Sequence, residues 1–126
     1  MDSIQIIAAG PKNVPYSGAL YAGDFIYVSG QVPLNESKQV VGEDIETQTT
    51  YTLEKIEALL AKAGANLNHV VKTTVFLTDM KNFSRMNEAY DKKFKEIYPC
   101  RSCIEVSQLP APVQIEIEAV AYFPKK

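Results

Sequence analysis

Hydrophobic and polar residues alternate in several short runs of this chain, which is the period of a half-buried β-strand. The runs cover residues 4–8, 19–22, 25–31, 70–77 and 114–122, and a further run follows Pro99. Gly23-Asp24 separates the second run from the third, and such a dipeptide favours a β-hairpin turn. The pattern therefore predicts six strands.

Two other segments repeat their apolar residues at helical spacing. Residues 44–63 carry Leu53, Ile56 and Leu60 on one face, and Gly64 is a natural C-terminal stop. Residues 83–97 are predicted as the second helix, which ends before Tyr98-Pro99. Its expected buried stripe is Phe83, Met86, Tyr90, Phe94 and Ile97. The order β-β-β-α-β-α-β-β predicts an α+β fold with both helices on one face of a mixed, mostly antiparallel sheet.

Two of the strands are apolar on both faces, although two helices can cover only one face of the sheet. In residues 25–31 the two faces carry Phe25 with Tyr27, and Ile26 with Val28. In residues 70–77 they carry Val71, Val75 and Leu77, and Val70 with Phe76. The second face needs a cover, and another copy of the chain is the simplest one. The pattern therefore predicts a homo-oligomer.

Composition narrows the functional class. The 126 residues, 46% hydrophobic and 22% charged, are expected to form one domain spanning residues 1–126. No apolar run reaches the ~20 residues of a membrane span, and Met1-Asp2-Ser3 does not begin a signal or transit peptide. We therefore expect a cytoplasmic protein. The net charge of −2 argues against a broad nucleic-acid surface, which needs clustered cations.

The two cysteines, Cys100 and Cys103, have the spacing C-x-x-C, for which three interpretations compete. A redox pair would open a helix, but a strand pattern follows here. A zinc site needs four ligands, and the one histidine, His69, is distant in sequence. In a strand, residues three apart point to opposite faces, so we expect two free thiols. No site for a metal or an organic cofactor is predicted.

Arg101 and Glu116 are the main candidates for chemistry. Arg101 stands where a loop enters a strand, and its guanidinium matches a carboxylate or a phosphate. If its strand pairs with residues 114–122, a guanidinium and a carboxylate approach one cleft. The simpler alternatives are a surface salt bridge for Arg101 and a solvated polar face for Glu116 and Glu118.

Three further polar residues are weaker candidates for the same cleft. Asn87 lies at the edge of the second helix's apolar stripe, where a boundary asparagine is also common. Ser29 precedes Gly30 at a strand end, where glycine lets a ligand approach the backbone. Tyr16 follows Pro15 in a loop and either caps a pocket or is simply exposed.

Taken together, these motifs resemble the RidA (YjgF) family over nearly the whole chain. The most specific segments are Pro99-Cys100-Arg101-Ser102-Cys103 and Ile115-Glu116-Ile117-Glu118-Ala119-Val120-Ala121. Further matches are Ser29-Gly30-Gln31-Val32-Pro33, Val70-Val71-Lys72-Thr73-Thr74-Val75-Phe76 and Asn87-Glu88-Ala89-Tyr90. The resemblance implies a chorismate-mutase-like fold and a homotrimer with three clefts between subunits.

The resemblance also implies an activity without cofactors, the hydrolytic deamination of reactive 2-imino and enamine acids. Such acids are released by pyridoxal-phosphate dehydratases, which gives a functional link to those enzymes. By position, Arg101 is similar to the family's carboxylate-binding arginine, and Glu116 to the acid that orients the attacking water. Cys103 would contact the ligand through its backbone. Tyr16, Ser29 and Asn87 are similar to the remaining pocket residues.

Two other classes of function stay open at this point. Some family members are described as endoribonucleases or translation inhibitors, against which the acidic composition and the single histidine argue. The second alternative is a binding or chaperone-like protein that holds small acids without turnover. An essential Arg101 combined with a dispensable Glu116 would favour the second alternative.

Overall fold

A computed structural model describes residues 3–125. The described residues therefore exclude Met1, Asp2 and Lys126, and with them part of the segment 1–3 that was considered for a signal or transit peptide. The six strands are β1 (Ile4–Ala9), β2 (Ser17–Ala22), β3 (Phe25–Gln31), β4 (Val70–Leu77), β5 (Cys100–Glu105) and β6 (Ile115–Tyr122). The helices are α1 (Ile45–Ala61) and α2 (Phe83–Lys93), with short 3₁₀ turns at Leu67–His69 and Met80–Asn82. The predicted order of elements is confirmed.

The strands form one sheet in the order β1-β2-β3-β6-β4-β5, with two helices packed on it, so the predicted fold class is confirmed. All neighbouring pairs are antiparallel except β4 and β5. The condition named above, pairing of the Arg101 strand with the Glu116 strand, is not met, because β4 lies between them. The helical crossover through α2 returns the chain parallel to β4 on one side. Strand β6 then occupies the other side of β4.

Helix α1 begins as the sequence suggests and ends slightly earlier. Asp44 is its N-cap, and the Asp44 side chain accepts a hydrogen bond from the Thr47 backbone N–H at 2.9 Å. The helix ends at Ala61, and Gly64 has a φ of +88°, a value that favours glycine. Its buried side chains include Leu53, Ile56 and Leu60, and the helix packs on β6 and β3.

Helix α2 is shorter than predicted. It ends at Lys93, and Phe94 already has extended backbone angles (φ −109°, ψ 112°) although its side chain is buried. Ile97 is 59% exposed and does not belong to a buried stripe. The chain must leave the helix layer to reach the outer strand β5, and Pro99 disfavours helix in the residue before it. Both requirements end the helix before residue 97.

The two faces of the sheet differ in cover. Ile26, Val75, Ile115 and Ile117 are fully buried on the face that packs against the helices. On the other face, called here the open face, Phe25 is 39% and Tyr27 47% exposed. This distribution agrees with the predicted shortage of cover.

One face assignment in β4 is wrong. Val71 was expected to share a buried face with Val75, but Val71 is exposed and Val70 is buried. The β4–β6 register shifts between Val70 and Lys72, and such a bulge turns the residues before it to the other face.

No helix within residues 3–125 is long and apolar enough to cross a membrane.

Candidate functional site

Arg101 is the second residue of β5 and lies against helix α2. Its guanidinium carbon is 4.8 Å from the centre of the Tyr90 ring and 5.6 Å from that of Phe83. Its Nη1 is 3.9 Å from the Met86 sulfur. Within residues 3–125, no carboxylate lies within 4.0 Å of this guanidinium. Aromatic faces attract the cation but do not neutralise it, so its charge stays available to an anionic ligand.

A cavity of about 350 Å³, called here the arginine pocket, opens beside this guanidinium. Its lining residues are Asn87, Tyr90, Asp91, Tyr98, Pro99 and Arg101. The Asn87 Oδ1 atom is buried and has no hydrogen-bond partner among the described residues. A buried acceptor without a partner is costly, so Asn87 is an unsatisfied polar residue next to the arginine pocket. The Tyr98 hydroxyl donates to the Asp91 carboxylate at its rim.

Tyr90 is anchored in the core below this pocket. Its hydroxyl and the Thr73 hydroxyl form a hydrogen bond of 2.7 Å, and both residues are buried. Burial raises the pKa of Tyr90, which the Thr73 hydrogen bond and the Arg101 charge only partly offset. The phenol is therefore neutral at physiological pH and presents an uncharged ring to Arg101.

Glu116 lies on β6 and points to the open face, because its neighbours Ile115 and Ile117 are buried on the helix side. Burial of the half-buried carboxyl group, and next the charge of Glu118, raise the pKa of Glu116 above its usual value. A Cβ atom at Gly30 would stand 2.8 Å from the Glu116 carboxyl carbon. The carboxyl group thus lies directly over the Gly30 backbone. A carboxylate with a raised pKa is suited to accept a proton.

Ser29 and Tyr16 belong to the same end of the sheet as Glu116. The Ser29 hydroxyl donates to the Ser17 carbonyl at 2.6 Å, which joins the end of β3 to the start of β2. Tyr16 is exposed and lines a cavity of about 560 Å³ together with Gly30. We call Ser29, Gly30 and Glu116 the carboxylate end of the sheet.

The arginine pocket and the carboxylate end lie on opposite faces of the sheet within one chain. Arg101 is the register partner of Thr73, which faces the helices, whereas Glu116 is the partner of Phe76 on the other face. The expectation that Arg101 and Glu116 meet in one cleft therefore does not hold within a single chain. Asn87 lies with Arg101, and Ser29 precedes Gly30, which lies against Glu116. Tyr16 does not join them directly, because the cavity that it lines with Gly30 is also lined by Lys55 and Leu59 of α1.

Cys103 follows Arg101 by two residues and is half-buried. Burial raises the pKa of its thiol, an effect that the nearby Arg101 charge opposes. Cys100 is exposed, and both cysteines are free, as expected. Among the described residues, no group of three or more His, Cys, Asp or Glu side chains could hold a metal ion.

Sequence reasoning missed the support of Arg101. It assigned Phe83 and Tyr90 to a buried helix stripe. Tyr90 is buried as predicted, but Phe83 is 36% exposed, and the guanidinium lies over both rings. The available signal was their spacing of seven residues, which places both rings on one helix face near the strand that follows. Thr73 carried no signal, because its role depends on the parallel pairing of β4 and β5.

The family model described as Endoribonuclease L-PSP matches residues 7–123 of the chain. The chain belongs to the RidA family. A RutC family protein of Pyrococcus abyssi is 49% identical over 114 residues, which cover 89% of this chain and 90% of the relative. The 2-iminobutanoate/2-iminopropanoate deaminase of Salmonella typhimurium is 39% identical over 110 residues, covering 85% and 86%.

A solved structure of similar fold supports the assignment of this chain to the RidA family. The crystal structure of Escherichia coli TdcF with bound serine superposes with a TM-score of 0.83 at 34% identity. The match covers 94% of this chain and 96% of TdcF. The two-helix, six-strand architecture is therefore the fold of these structural relatives.

Proposed function

We propose that this RidA-family protein hydrolyses 2-imino acids such as 2-iminobutanoate and 2-iminopropanoate to the 2-keto acid and ammonia. The observation that carries the proposal is the Arg101 guanidinium, which lies over the Phe83 and Tyr90 rings and has no carboxylate partner among residues 3–125. Such a fork can bind a small carboxylate with two parallel hydrogen bonds, as it can a phosphate. The deaminase name of the Salmonella relative supports the same substrate class.

In the proposed reaction, Arg101 fixes the substrate carboxylate and thereby the position of the adjacent imine carbon. Glu116 accepts a proton from a water molecule as the water oxygen attacks that carbon. Glu116 then returns its proton to the carbinolamine nitrogen, the C–N bond breaks to release ammonia, and the hydroxyl group loses its proton to become the carbonyl of the keto acid. Positioning is a large part of the catalysis of such a step, since the protonated imine is already electrophilic.

The proposal requires more than one copy of the chain, because Arg101 and Glu116 lie on opposite sheet faces. We propose that the arginine pocket of one subunit meets the carboxylate end of another. The exposed Phe25, Tyr27 and Tyr122 on the open face support such an association. The number of copies, three, comes from the family resemblance, and it stays a prediction.

Three other parts of the proposal come from the sequence and the family resemblance. The reaction uses no metal and no organic cofactor. Its substrates come from pyridoxal-phosphate dehydratases, and the protein acts in the cytoplasm. Cell fractionation tests the location. Keto-acid formation measured with and without such a dehydratase tests the source of the substrates.

Substitutions of Arg101 and Glu116 test the proposed function. We expect Arg101→Ala to lose both 2-oxobutanoate affinity and imine hydrolysis, and Arg101→Lys to be nearly as poor, because an ammonium cannot form the two-pronged contact. Glu116→Gln keeps its size but loses the base, so turnover should fall about 10²–10⁴-fold while keto-acid binding persists. Calorimetry measures the affinity and a coupled assay the turnover. Wild-type turnover in Glu116→Gln would show that the carboxylate is structural and would refute this mechanism.

RNA cleavage is the second candidate, and the description of the matching family model favours it. Of the residues that line the arginine pocket, Arg101 is the cation and Asp91 the anion, whereas an RNA backbone needs several cations. We therefore expect Arg101→Ala to leave any RNase activity of a highly purified sample unchanged. Loss of that activity in Arg101→Ala would assign it to the same pocket.

A further inference from the structure

We propose that Tyr90 is a positioning residue that holds the Arg101 guanidinium in its binding orientation, with Thr73 as its anchor. The role rests on the proposed function, since it matters only if Arg101 binds the substrate carboxylate. It is distinct from contact with the substrate, because Tyr90 acts through Arg101.

The geometry forms a closed loop of three residues. Thr73 on β4 is the direct register partner of Arg101 on β5. The Thr73 hydroxyl is 2.7 Å from the Tyr90 hydroxyl, and the Tyr90 ring centre is 4.8 Å from the Arg101 guanidinium carbon. The strand pairing thus fixes Thr73, Thr73 fixes the ring, and the ring fixes the guanidinium.

The ring itself is held from several sides. Tyr90 is 5% and Thr73 1% exposed, so the hydrogen bond between them is shielded from water. The Phe94 ring is 4.7 Å from the Tyr90 ring. Phe83 and the Met86 sulfur are the other neighbours of the guanidinium that α2 supplies. A ring fixed in this way can determine where a long, otherwise flexible arginine side chain points.

An orientation set before binding increases affinity, because the ligand does not have to immobilise the side chain. An aromatic face under a partly desolvated guanidinium corresponds to about 2- to 30-fold in equilibrium population. We therefore expect Tyr90→Leu to weaken 2-oxobutanoate binding by a factor in this range. KM for the imine should rise in parallel, with a smaller change in kcat, because Glu116 and the water are untouched.

The hydroxyl pair offers a test that a purely structural residue would not pass. Tyr90→Phe keeps the ring but leaves the buried Thr73 hydroxyl without its partner, and Thr73→Val leaves the Tyr90 hydroxyl unpaired. Each single variant should lower the unfolding temperature. The double variant removes both polar atoms and should recover stability. Because its anchor is gone although its stability is restored, its 2-oxobutanoate affinity should stay below that of wild type, and wild-type affinity would overturn the anchoring role of Thr73.

A matched control separates positioning from general destabilisation. Leu67→Ala truncates a buried side chain in the 3₁₀ turn before β4, outside the arginine pocket. We expect it to lower the unfolding temperature with no change in 2-oxobutanoate affinity. Equal affinity in wild type, Leu67→Ala and Tyr90→Leu would overturn the proposal.

Two further outcomes need a separate test or interpretation: a Tyr90→Leu variant that does not fold, and a wild-type protein that does not hydrolyse imines. If Tyr90→Leu does not fold, Phe83→Leu replaces it, since Phe83 is only partly buried and its ring also faces Arg101. A loss of 2-oxobutanoate affinity in that variant supports the proposal that the aromatic rings of α2 orient the Arg101 guanidinium, and unchanged affinity overturns it. A wild-type protein that binds 2-oxobutanoate but hydrolyses no imine refutes the proposed deaminase alone. The affinity comparison then still decides the role of Tyr90.

Discussion

Replacement of Gly30 by alanine should displace the Glu116 carboxyl group without unfolding the protein. The added Cβ would stand 2.8 Å from the Glu116 carboxyl carbon and 3.1 Å from its Cγ, and it would overlap Oε2. Carbon atoms in contact prefer about 3.5–4.0 Å, so the carboxyl carbon must retreat by roughly 1 Å. Gly30 is not among the residues with positive φ, so alanine is compatible with its backbone.

A displacement of this size is large for a catalytic base. A misplacement of about 1 Å can cost on the order of 100-fold in rate, and this is the loss in imine turnover that we expect for Gly30→Ala. The cost in stability should be only about 0.5–1.5 kcal/mol, because the obstructing atoms belong to a flexible side chain that can change rotamer. Affinity for 2-oxobutanoate should change little, since Arg101 is untouched.

The assay is coupled imine hydrolysis together with thermal unfolding, and Gly23→Ala is the control. Gly23 has a φ of +61° in the β2–β3 turn and no atom near its missing Cβ, so alanine there brings strain but no clash. Gly23→Ala should lose stability and keep turnover. In a Glu116→Gln background, Gly30→Ala should cause little further loss, because both changes remove the same function. Wild-type turnover in Gly30→Ala would refute the assigned position of the base.

Three other properties can be checked directly. The raised pKa of Glu116 means that the folded protein binds this proton more tightly than the unfolded one, so the ionised carboxyl destabilises the fold above that pKa. Glu116→Gln should therefore unfold at a higher temperature than wild type at pH 7, and the difference should vanish below about pH 4 in calorimetry. Light scattering at micromolar concentration should give a trimer, and a stable monomer would remove the proposed site between subunits. Thiol titration of the unreduced protein should find both cysteines, Cys100 and Cys103, free, whereas a value near zero would restore the redox interpretation.

The sequence predicted where the helices and strands lie better than it predicted which strands lie next to each other in the sheet. Periodicity located β4 at its observed bounds, and the alternation in β6 correctly separated Ile115 and Ile117 from Glu116 and Glu118. These features are local, because a side chain's face in a regular strand follows from its parity. The bulge before Lys72 broke that parity and turned Val71 outward, and no local pattern marked it.

The relative placement of the candidate residues could not be predicted from local sequence patterns. The sequence identified Arg101 and Glu116, but their placement depends on β6 entering between β3 and β4, which is a long-range choice. Gly30 was noted as a place of close approach, although the atom that approaches it, the Glu116 carboxyl group, emerged only from the β3–β6 register. The early end of α2 likewise follows from the route of the chain to β5 and not from helix propensity.

The central place of β6 has a consequence for synthesis of the chain. Strands β1 to β3 can pair as they emerge, and β4 can pair with β5, but in the described sheet these two groups are joined only through β6. Because translation proceeds from the N-terminus, the apolar side of α1 stays partly uncovered until Ile115, Ile117 and the rest of β6 have been synthesised. A nascent chain that stalls before Ile115 would hold two half-sheets with unpaired edges, which are targets for chaperones and aggregation.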